Sequence, residues 1–192
     1  MQREDKFEKI LDAAIQAIAE SGYHQCQVAK IARLAGVANG TIYLYFKNKD
    51  EILIRVFQER MGEFVTSLRK ELANCRDSRE RLKVIINKHL TSMENNYNLA
   101  VVTQLELRQS DGHVRTAIMD TIRQYFRLIE EVIVQGVDRG EMKLVSVRSA
   151  RQLIFGTLDQ ATTDWVLARK RRKLTEQSAD LLDLFTGALR LS

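Results

Sequence analysis

The sequence predicts an all-α fold of about nine helices, and three observations support this prediction. The chain of 192 residues contains no proline, the residue that most often ends helices and shapes turns. Its 9 glycines are too few and too scattered for the frequent turns of an all-β fold. Apolar residues recur at the three- and four-residue spacing of amphipathic helices along most of the chain. The same features disfavour a parallel α/β sheet.

Short helices are expected in the first part of the chain. Gly22 and Gly36 follow two apolar helical patterns, where glycine commonly adopts a left-handed C-terminal cap. Asn48 is a good N-cap residue and Glu51 stands three positions later, which predicts a further helix start. Helices are therefore expected over residues 6–19, 28–35, 40–45 and 49–72.

Longer helices are expected in the remainder. Asp77 and Glu80 form a capping pair before one apolar pattern, and Ser146 caps another. Residues 110–112, Ser-Asp-Gly, predict a break, and Gly140 stands near the end of a long pattern. Helices are expected over about residues 77–93, 99–109, 114–137, 146–168 and 175–189.

Composition excludes several classes of protein. Only 2 cysteines are present, which rules out a disulfide scaffold and a structural zinc site. The first residues lack the apolar run of a signal peptide, and no apolar stretch is long enough for a membrane span, so a cytoplasmic protein is expected. Neither a metal nor a cofactor is expected. The net charge of +5 permits a nucleic-acid partner without requiring one.

The segment over residues 27–49 is the most specific part of the sequence. Two short helices joined by a glycine-containing turn form a helix-turn-helix. The hydroxyl groups of Thr41 and Tyr43 can bind phosphates, and Lys47 and Lys49 can contact a phosphate from the next helix. A tight helical hairpin with surface tyrosines has the same spacing, so the pattern alone leaves both interpretations open.

This segment resembles the DNA-binding domain of the TetR family of bacterial transcriptional regulators. The matching motifs are Lys30-Ile31-Ala32, Ala35-Gly36-Val37, Gly40-Thr41-Ile42-Tyr43, Tyr45-Phe46 and Lys47 to Leu53. The resemblance implies a helix-turn-helix domain over residues 1–47, a ligand-binding and dimerisation domain over 48–192, and a homodimer on double-stranded operator DNA. The implied DNA contacts are Gln27, Val28, Asn39, Gly40, Thr41, Tyr43, Leu44, Tyr45, Lys47 and Lys49.

Within these contacts, the resemblance assigns phosphates to Thr41, Tyr43 and Lys49, and it places Asn39, Gly40, Leu44 and Tyr45 against the bases. Gln27 departs from the family, in which threonine is common at the position before the second helix. Glutamine is a poor N-cap and a good adenine reader, so Gln27 could contact either a phosphate or a base.

The chain is similar along its length to the acyl-CoA-responsive repressors of fatty-acid degradation in Gram-positive bacteria, a FadR-type branch of that family. The similarity is carried by residues 101–110 and 150–159, together with 22–25 and 40–49. It implies a repressor that long-chain acyl-CoA releases from its operator; a repressor that responds to a different hydrophobic molecule is the alternative. The implied ligand contacts are Phe64, Leu68, Ile85, His89, Met93, Val102, Gln104, Leu105, Arg108, Phe126, Ile129, Arg151, Phe155 and Leu158.

Each of these ligand contacts also has a purely structural interpretation. Apolar residues at helical spacing are typical of an ordinary core, and His89 on an apolar face is typical of a core histidine that has its hydrogen bonds. Arg108 could pair with a carboxylate such as that of Glu106, Asp120 or Asp159, or it could hold the polar end of an acyl-CoA.

The last two helices are expected to form a four-helix bundle with a second copy. They carry more apolar residues than one chain needs: Phe155, Leu158, Trp165, Leu181, Leu184 and Leu189. The cationic run over residues 169–173 is expected in the solvated link between them. An enzyme is not expected, because the chain has neither a GxSxG nor a GxGxxG motif.

Overall fold

The computed structural model describes residues 2–106, 112–143, 146–170 and 172–189, and this part of the chain is all-α, as predicted. The α-helices are α1 (Gln2–Ser21), α2 (Val28–Ala35), α3 (Asn39–Ile42), α4 (Lys49–Leu72), α5 (Ser78–Asn95), α6 (Tyr97–Val101), α7 (Gly112–Asp138), α8 (Val147–Leu167) and α9 (Ser178–Leu189). A π-helical turn, Val102–Glu106, follows α6, and a 3₁₀ turn, Leu174–Gln177, precedes α9. None of the described helices has the length and apolar character that crossing a bilayer requires.

The chain folds into two compact units. The first unit comprises Met1–Met61 and Tyr97–Asp120, and the second comprises Gly62–Asn96 and Thr121–Ser192. Helices α4 and α7 therefore each contribute their first part to one unit and their remainder to the other. A domain boundary between residues 47 and 48 stays a prediction.

Glycines end the first two helices of the first unit. Gly22 after α1 and Gly36 after α2 have φ angles of 75° and 67°, the left-handed conformation that glycine adopts without strain. The backbone N–H of Val37 donates to the carbonyl of Ala32 at 3.0 Å, which closes the end of α2. Helix α2 packs on α1 and buries Ile31 and Ala32.

The third helix is shorter than predicted. It ends at Ile42 rather than at residue 45, because the chain beyond it changes to tighter three-residue turns. The N–H groups of Leu44 and Tyr45 donate to the carbonyls of Thr41 and Ile42 at 3.1 and 3.0 Å. Phe46 is then buried, which brings the chain back to the core before α4 begins.

Two predicted N-caps form at the starts of helices in the second unit. The Asp77 carboxylate accepts a hydrogen bond of 2.8 Å from the backbone N–H of Glu80 at the start of α5, and Ser146 accepts one from Ser149 at the start of α8. Helix α5 packs on α9. The predicted helix start at Thr175 is a 3₁₀ turn, and α9 itself begins at Ser178.

Two other sequence expectations meet a different outcome in the structure. The helix expected over residues 99–109 is divided into α6 and the π-helical turn, and residues 107–111 lie outside the described part. The apolar surplus of the last two helices is smaller than expected, because Leu158, Leu181 and Leu189 are buried by their own chain. Leu184 remains 65% exposed, and Leu153 and Leu167 are exposed as well.

Candidate nucleic-acid interface and effector site

The α2–α3 segment presents polar and apolar side chains to solvent on a rigid support. Ile42 and Phe46 are buried, whereas Tyr43 and Leu44 between them are 54% and 76% exposed. Asn39 is exposed at the start of α3. Since large apolar side chains are normally covered, Tyr43 and Leu44 mark a surface that another molecule can contact.

The other predicted DNA contacts differ in their solvent exposure. Gln27 and Gly40 are exposed, and Val28 and Thr41 are half-buried. Gln27 makes no side-chain cap on α2, which agrees with its poor capping chemistry and leaves its amide available. These positions can offer hydroxyl, amide and backbone N–H groups to a phosphate or a base edge.

Tyr45 is partly engaged in the core of the first unit. Its ring is half-buried and lies 6.3 Å from the ring centroids of both Phe7 and Phe46. Phe7 also stacks on Phe46 at 5.5 Å. A base-facing role for Tyr45 stays a prediction, and it is limited to the edge that this aromatic cluster leaves uncovered.

The two predicted phosphate-binding lysines lie in different environments. Lys47 is exposed, and its backbone N–H donates to the Glu51 carboxylate at 2.6 Å. The ammonium group of Lys49 instead points into the α1–α2 turn. It donates to the carbonyl oxygens of Tyr23, His24 and Cys26 at 2.7, 3.2 and 3.2 Å. A phosphate contact by Lys49 stays a prediction. In this geometry the ammonium group stabilises the α1–α2 turn by binding three of its carbonyl oxygens.

Tyr23 is the centre of the α1–α2 turn. Its ring lies 4.5 Å from the Lys49 ammonium, a cation–π distance, and its hydroxyl donates to the Asp50 carboxylate. Its backbone N–H donates to Glu106 Oε2 at 2.7 Å. Sequence reasoning missed this arrangement, although Glu106 as a charged residue within an apolar segment was a signal that it needs a partner.

Several of the predicted effector contacts form an aromatic cluster inside the second unit. The ring centroids of Phe64 and Tyr125 are 5.0 Å apart, those of Tyr125 and Phe155 5.8 Å, and those of Phe126 and Phe155 4.8 Å. All three pairs meet edge to face, an arrangement favoured by aromatic quadrupoles. Other predicted contacts of this unit are buried in its core: Leu68, Ile85, His89, Met93, Ile129 and Leu158.

A short chain of hydrogen bonds crosses this cluster. His89 Nδ1 lies 3.2 Å from the Tyr125 hydroxyl, and His89 Nε2 lies 3.3 Å from the Thr162 hydroxyl. Thr162 in turn donates to the Leu158 carbonyl at 2.9 Å. A neutral imidazole, which accepts at one nitrogen and donates at the other, satisfies this chain completely.

Burial keeps both titratable members of this chain neutral. Desolvation lowers the pKa of His89 to about 4, against the opposing field of the Asp159 carboxylate. Desolvation also raises the pKa of Tyr125. The His89–Tyr125–Thr162 line is therefore uncharged but polar at neutral pH.

Arg151 supplies a cation near the same aromatic residues. Its guanidinium lies 4.4 Å from the centroid of the Phe126 ring, and its Nε is 2.9 Å from Glu130 Oε1 in an ion pair. The stacking and the ion pair hold the planar group in one orientation.

The remaining predicted effector contacts belong to the first unit, in the π-helical turn. Val102 and Gln104 are buried, and Leu105 is half-buried. π-Helical turns are rare in proteins, and those that occur often lie at functional sites. Their extra residue leaves part of the backbone without its usual α-helical hydrogen-bond partners. Arg108 lies outside the described residues.

Among the described residues, no group of three or more His, Cys, Asp or Glu side chains is placed to hold a metal ion. The polar groups of the site are hydroxyls, amides, an imidazole and paired cations.

Two family models match the chain along nearly its whole length. The model of bacterial regulatory proteins of the tetR family matches residues 10–56, and the model of the C-terminal region of YsiA-like proteins matches residues 57–188. The fatty acid metabolism regulator protein of Bacillus subtilis (strain 168) is 43% identical over 189 residues, which cover 98% of this chain and 97% of that protein.

Solved structures extend the likeness to three dimensions. The crystal structure of the transcriptional regulator FadR from Bacillus subtilis in complex with stearoyl-CoA matches with a TM-score of 0.90 and 44% identity, over 93% of this chain and 97% of that one. The fatty acid degradation regulator FadR from Bacillus halodurans matches with a TM-score of 0.93 and 45% identity, over 97% of each chain. The outward-facing helix-turn-helix, the helical second unit and these matches lead to one conclusion: the chain belongs to the tetR family of bacterial regulatory proteins.

Proposed function

We propose that this protein is a DNA-binding transcriptional repressor of fatty-acid-degradation genes, and that long-chain acyl-CoA releases it from its operator. The observation that supports this most strongly is the identity of more than 40% over nearly the whole chain with fatty-acid regulators, one of them solved with stearoyl-CoA. Such relatives are regulators rather than enzymes. The proposed place of action is the cytoplasm, where bacterial DNA lies.

On the DNA side, the exposed end of the helix-turn-helix enters the major groove. Asn39, Gly40 and Leu44 face the base edges, and the hydroxyls of Thr41 and Tyr43 bind phosphates that fix the register. Lys47 adds an exposed cation whose interaction with phosphate weakens as salt increases.

On the effector side, the aromatic cluster and the uncharged His89 line of the second unit suit an acyl chain. Each buried methylene contributes about 0.8 kcal/mol, so a long chain supplies most of the affinity. The predicted contacts Phe64, Phe126 and Phe155 are large flat surfaces for such a chain. Arg151 is a candidate partner for the polar end, since a guanidinium offers several fixed donors to thioester or phosphate oxygens.

The protein acts as a homodimer through α8 and α9. Leu153 and Leu167 on α8 and Leu184 on α9 are exposed large apolar side chains, and an apolar face of this kind is stable when a second copy covers it. Dimerisation also provides the two recognition helices that successive major grooves require.

The mechanism is a shift between two conformations. Acyl-CoA binds more tightly to the conformation whose recognition helices are wrongly spaced, and operator affinity falls by the same factor, because coupling between two sites is reciprocal.

The test uses operator fragments selected from genomic DNA and fluorescence anisotropy at fixed salt. Stearoyl-CoA is expected to raise the operator Kd by about tenfold or more, within the usual range of allosteric coupling. Coenzyme A and stearate, tested separately, are expected to leave it nearly unchanged. Release by stearate alone would favour the alternative of another hydrophobic effector, and the absence of release by any acyl-CoA would refute the proposed function.

A further inference from the structure

The contact between Glu106 and the α1–α2 turn joins two parts of the first unit that the proposed function treats separately. Glu106 ends the π-helical turn, whose Val102, Gln104 and Leu105 are predicted effector contacts. We propose that Glu106 is the positioning residue through which effector binding changes the placement of the DNA-binding helices. This inference rests on the proposed function.

The hydrogen bond is of a kind that the fold loses only at a cost. Glu106 Oε2 accepts from the Tyr23 backbone N–H at 2.7 Å, and Tyr23 is 5% exposed. A buried amide N–H without an acceptor destabilises the folded state. If the carboxylate moves, the α1–α2 turn is therefore expected to move with it or to rearrange. The carboxylate also packs over Gly22, where a Cβ on that residue would lie 3.6 Å from Glu106 Oε2.

Tyr23 passes any displacement on to the DNA-binding helices. Its carbonyl accepts from the Lys49 ammonium at 2.7 Å, and its hydroxyl donates to Asp50. Lys49 and Asp50 are the first two residues of α4, and the exposed side chains of Tyr43, Leu44 and Lys47 lie shortly before them in the chain. A shift of the α1–α2 turn therefore moves both the end of α1 and the start of α4, the two elements that flank α2 and α3.

The π-helical winding of Val102–Glu106 has an α-helical alternative, which would give Glu106 a second position. A π-helical turn holds one more residue than an α-helical turn, and each residue of an α-helix rotates the chain by about 100°. A return of Val102–Glu106 to α-helical winding would rotate Glu106 by that amount and withdraw its carboxylate from Tyr23. A ligand that contacts Val102, Gln104 or Leu105 in only one winding would select that winding.

The experiment compares substitutions that separate hydrogen-bonding length from charge. Glu106→Leu removes the acceptor. Glu106→Asp keeps the charge but is one methylene too short for the 2.7 Å contact, and Glu106→Gln keeps an acceptor oxygen at the right length without the charge. The matched control is Glu141→Leu, because Glu141 accepts a backbone hydrogen bond from Ser78 N at the same 2.7 Å, within the second unit.

Three quantities are measured for each protein: the operator Kd, the operator Kd with saturating stearoyl-CoA, and the stearoyl-CoA Kd from calorimetry. The ratio of the two operator constants is expected to fall from the parental value of about tenfold or more to about one in Glu106→Leu and Glu106→Asp, because the coupling between the two sites is lost. Glu106→Gln is expected to keep an intermediate ratio. Glu141→Leu is expected to lower Tm while keeping the parental ratio of operator constants. If Glu106 had only a structural role, Glu106→Leu would behave in the same way.

Two results would overturn the inference, and they are distinguishable. If the parent protein is not released by stearoyl-CoA, the proposed function fails and the inference fails with it. If the parent is released and Glu106→Asp keeps the parental ratio, the proposed function stands and Glu106 is not the link. Should Glu106→Leu fold poorly, the Asp and Gln variants still decide the matter.

Discussion

Acidification is expected to destabilise the second unit through His89. Burial lowers the pKa of this histidine from 6.5 to about 4. The unfolded chain therefore binds a proton between pH 6.5 and 4 that the folded chain excludes, and the free energy of unfolding falls as the pH falls through this window. The contribution of neutral His89 is fully present above pH 6.5 and is lost progressively towards pH 4.

The magnitude follows from the shift of the pKa. Each unit corresponds to 1.36 kcal/mol, so the shift from 6.5 to about 4 amounts to about 3 kcal/mol in full. Between pH 7 and pH 4.5 most of this, about 2 kcal/mol, is expected to be lost. The Asp159 carboxylate opposes the shift, but desolvation of the buried imidazole is the larger effect.

The assay is urea unfolding of the parent protein and of His89→Gln at pH 7 and pH 4.5. Carboxylates titrate in the same range, so the quantity that tests the reasoning is the difference between the two proteins. His89→Gln is expected to lose about 2 kcal/mol less than the parent on acidification. His24→Gln makes the same substitution at an exposed position and serves as the matched control. Equal losses in the parent and in His89→Gln would refute the argument.

Three further predictions concern packing, charge and assembly. Gly136→Ala is expected to cost about 1–3 kcal/mol of stability in urea unfolding, because its new Cβ would lie 2.6 Å from Ser78 Oγ and 2.8 Å from Met142 Sδ; an unchanged midpoint would contradict this. Lys47→Met is expected to reduce the salt slope of operator binding by about one without changing Tm, whereas Lys49→Met is expected to lower Tm, because its ammonium binds three carbonyls; the reverse pattern would make Lys49 the phosphate contact. Leu184→Glu is expected to give monomers in sedimentation and to abolish operator binding, and a monomer with parental affinity would refute the proposed dimer.

Local signals in the sequence were sufficient for the helical architecture. The absence of proline, the apolar periodicity and the caps at Asp77 and Ser146 act between residues that are close along the chain, so they predict helices without knowledge of their neighbours. The glycines after α1 and α2 were equally predictable, because a positive φ is a property of a single residue. The family resemblance in residues 27–53 likewise rests on a contiguous motif.

Local sequence patterns therefore specify an all-α chain with a helix-turn-helix, whereas the task of an individual side chain depends on contacts between segments that are distant in sequence. Lys49 reads as a phosphate ligand in sequence, yet its ammonium lies on carbonyls 23 to 26 positions away along the chain. Glu106 binds the amide of Tyr23, 83 positions away, and the His89 network joins three separate helices. A buried polar group needs a hydrogen-bond partner close in space, and folding, rather than spacing along the chain, selects that partner.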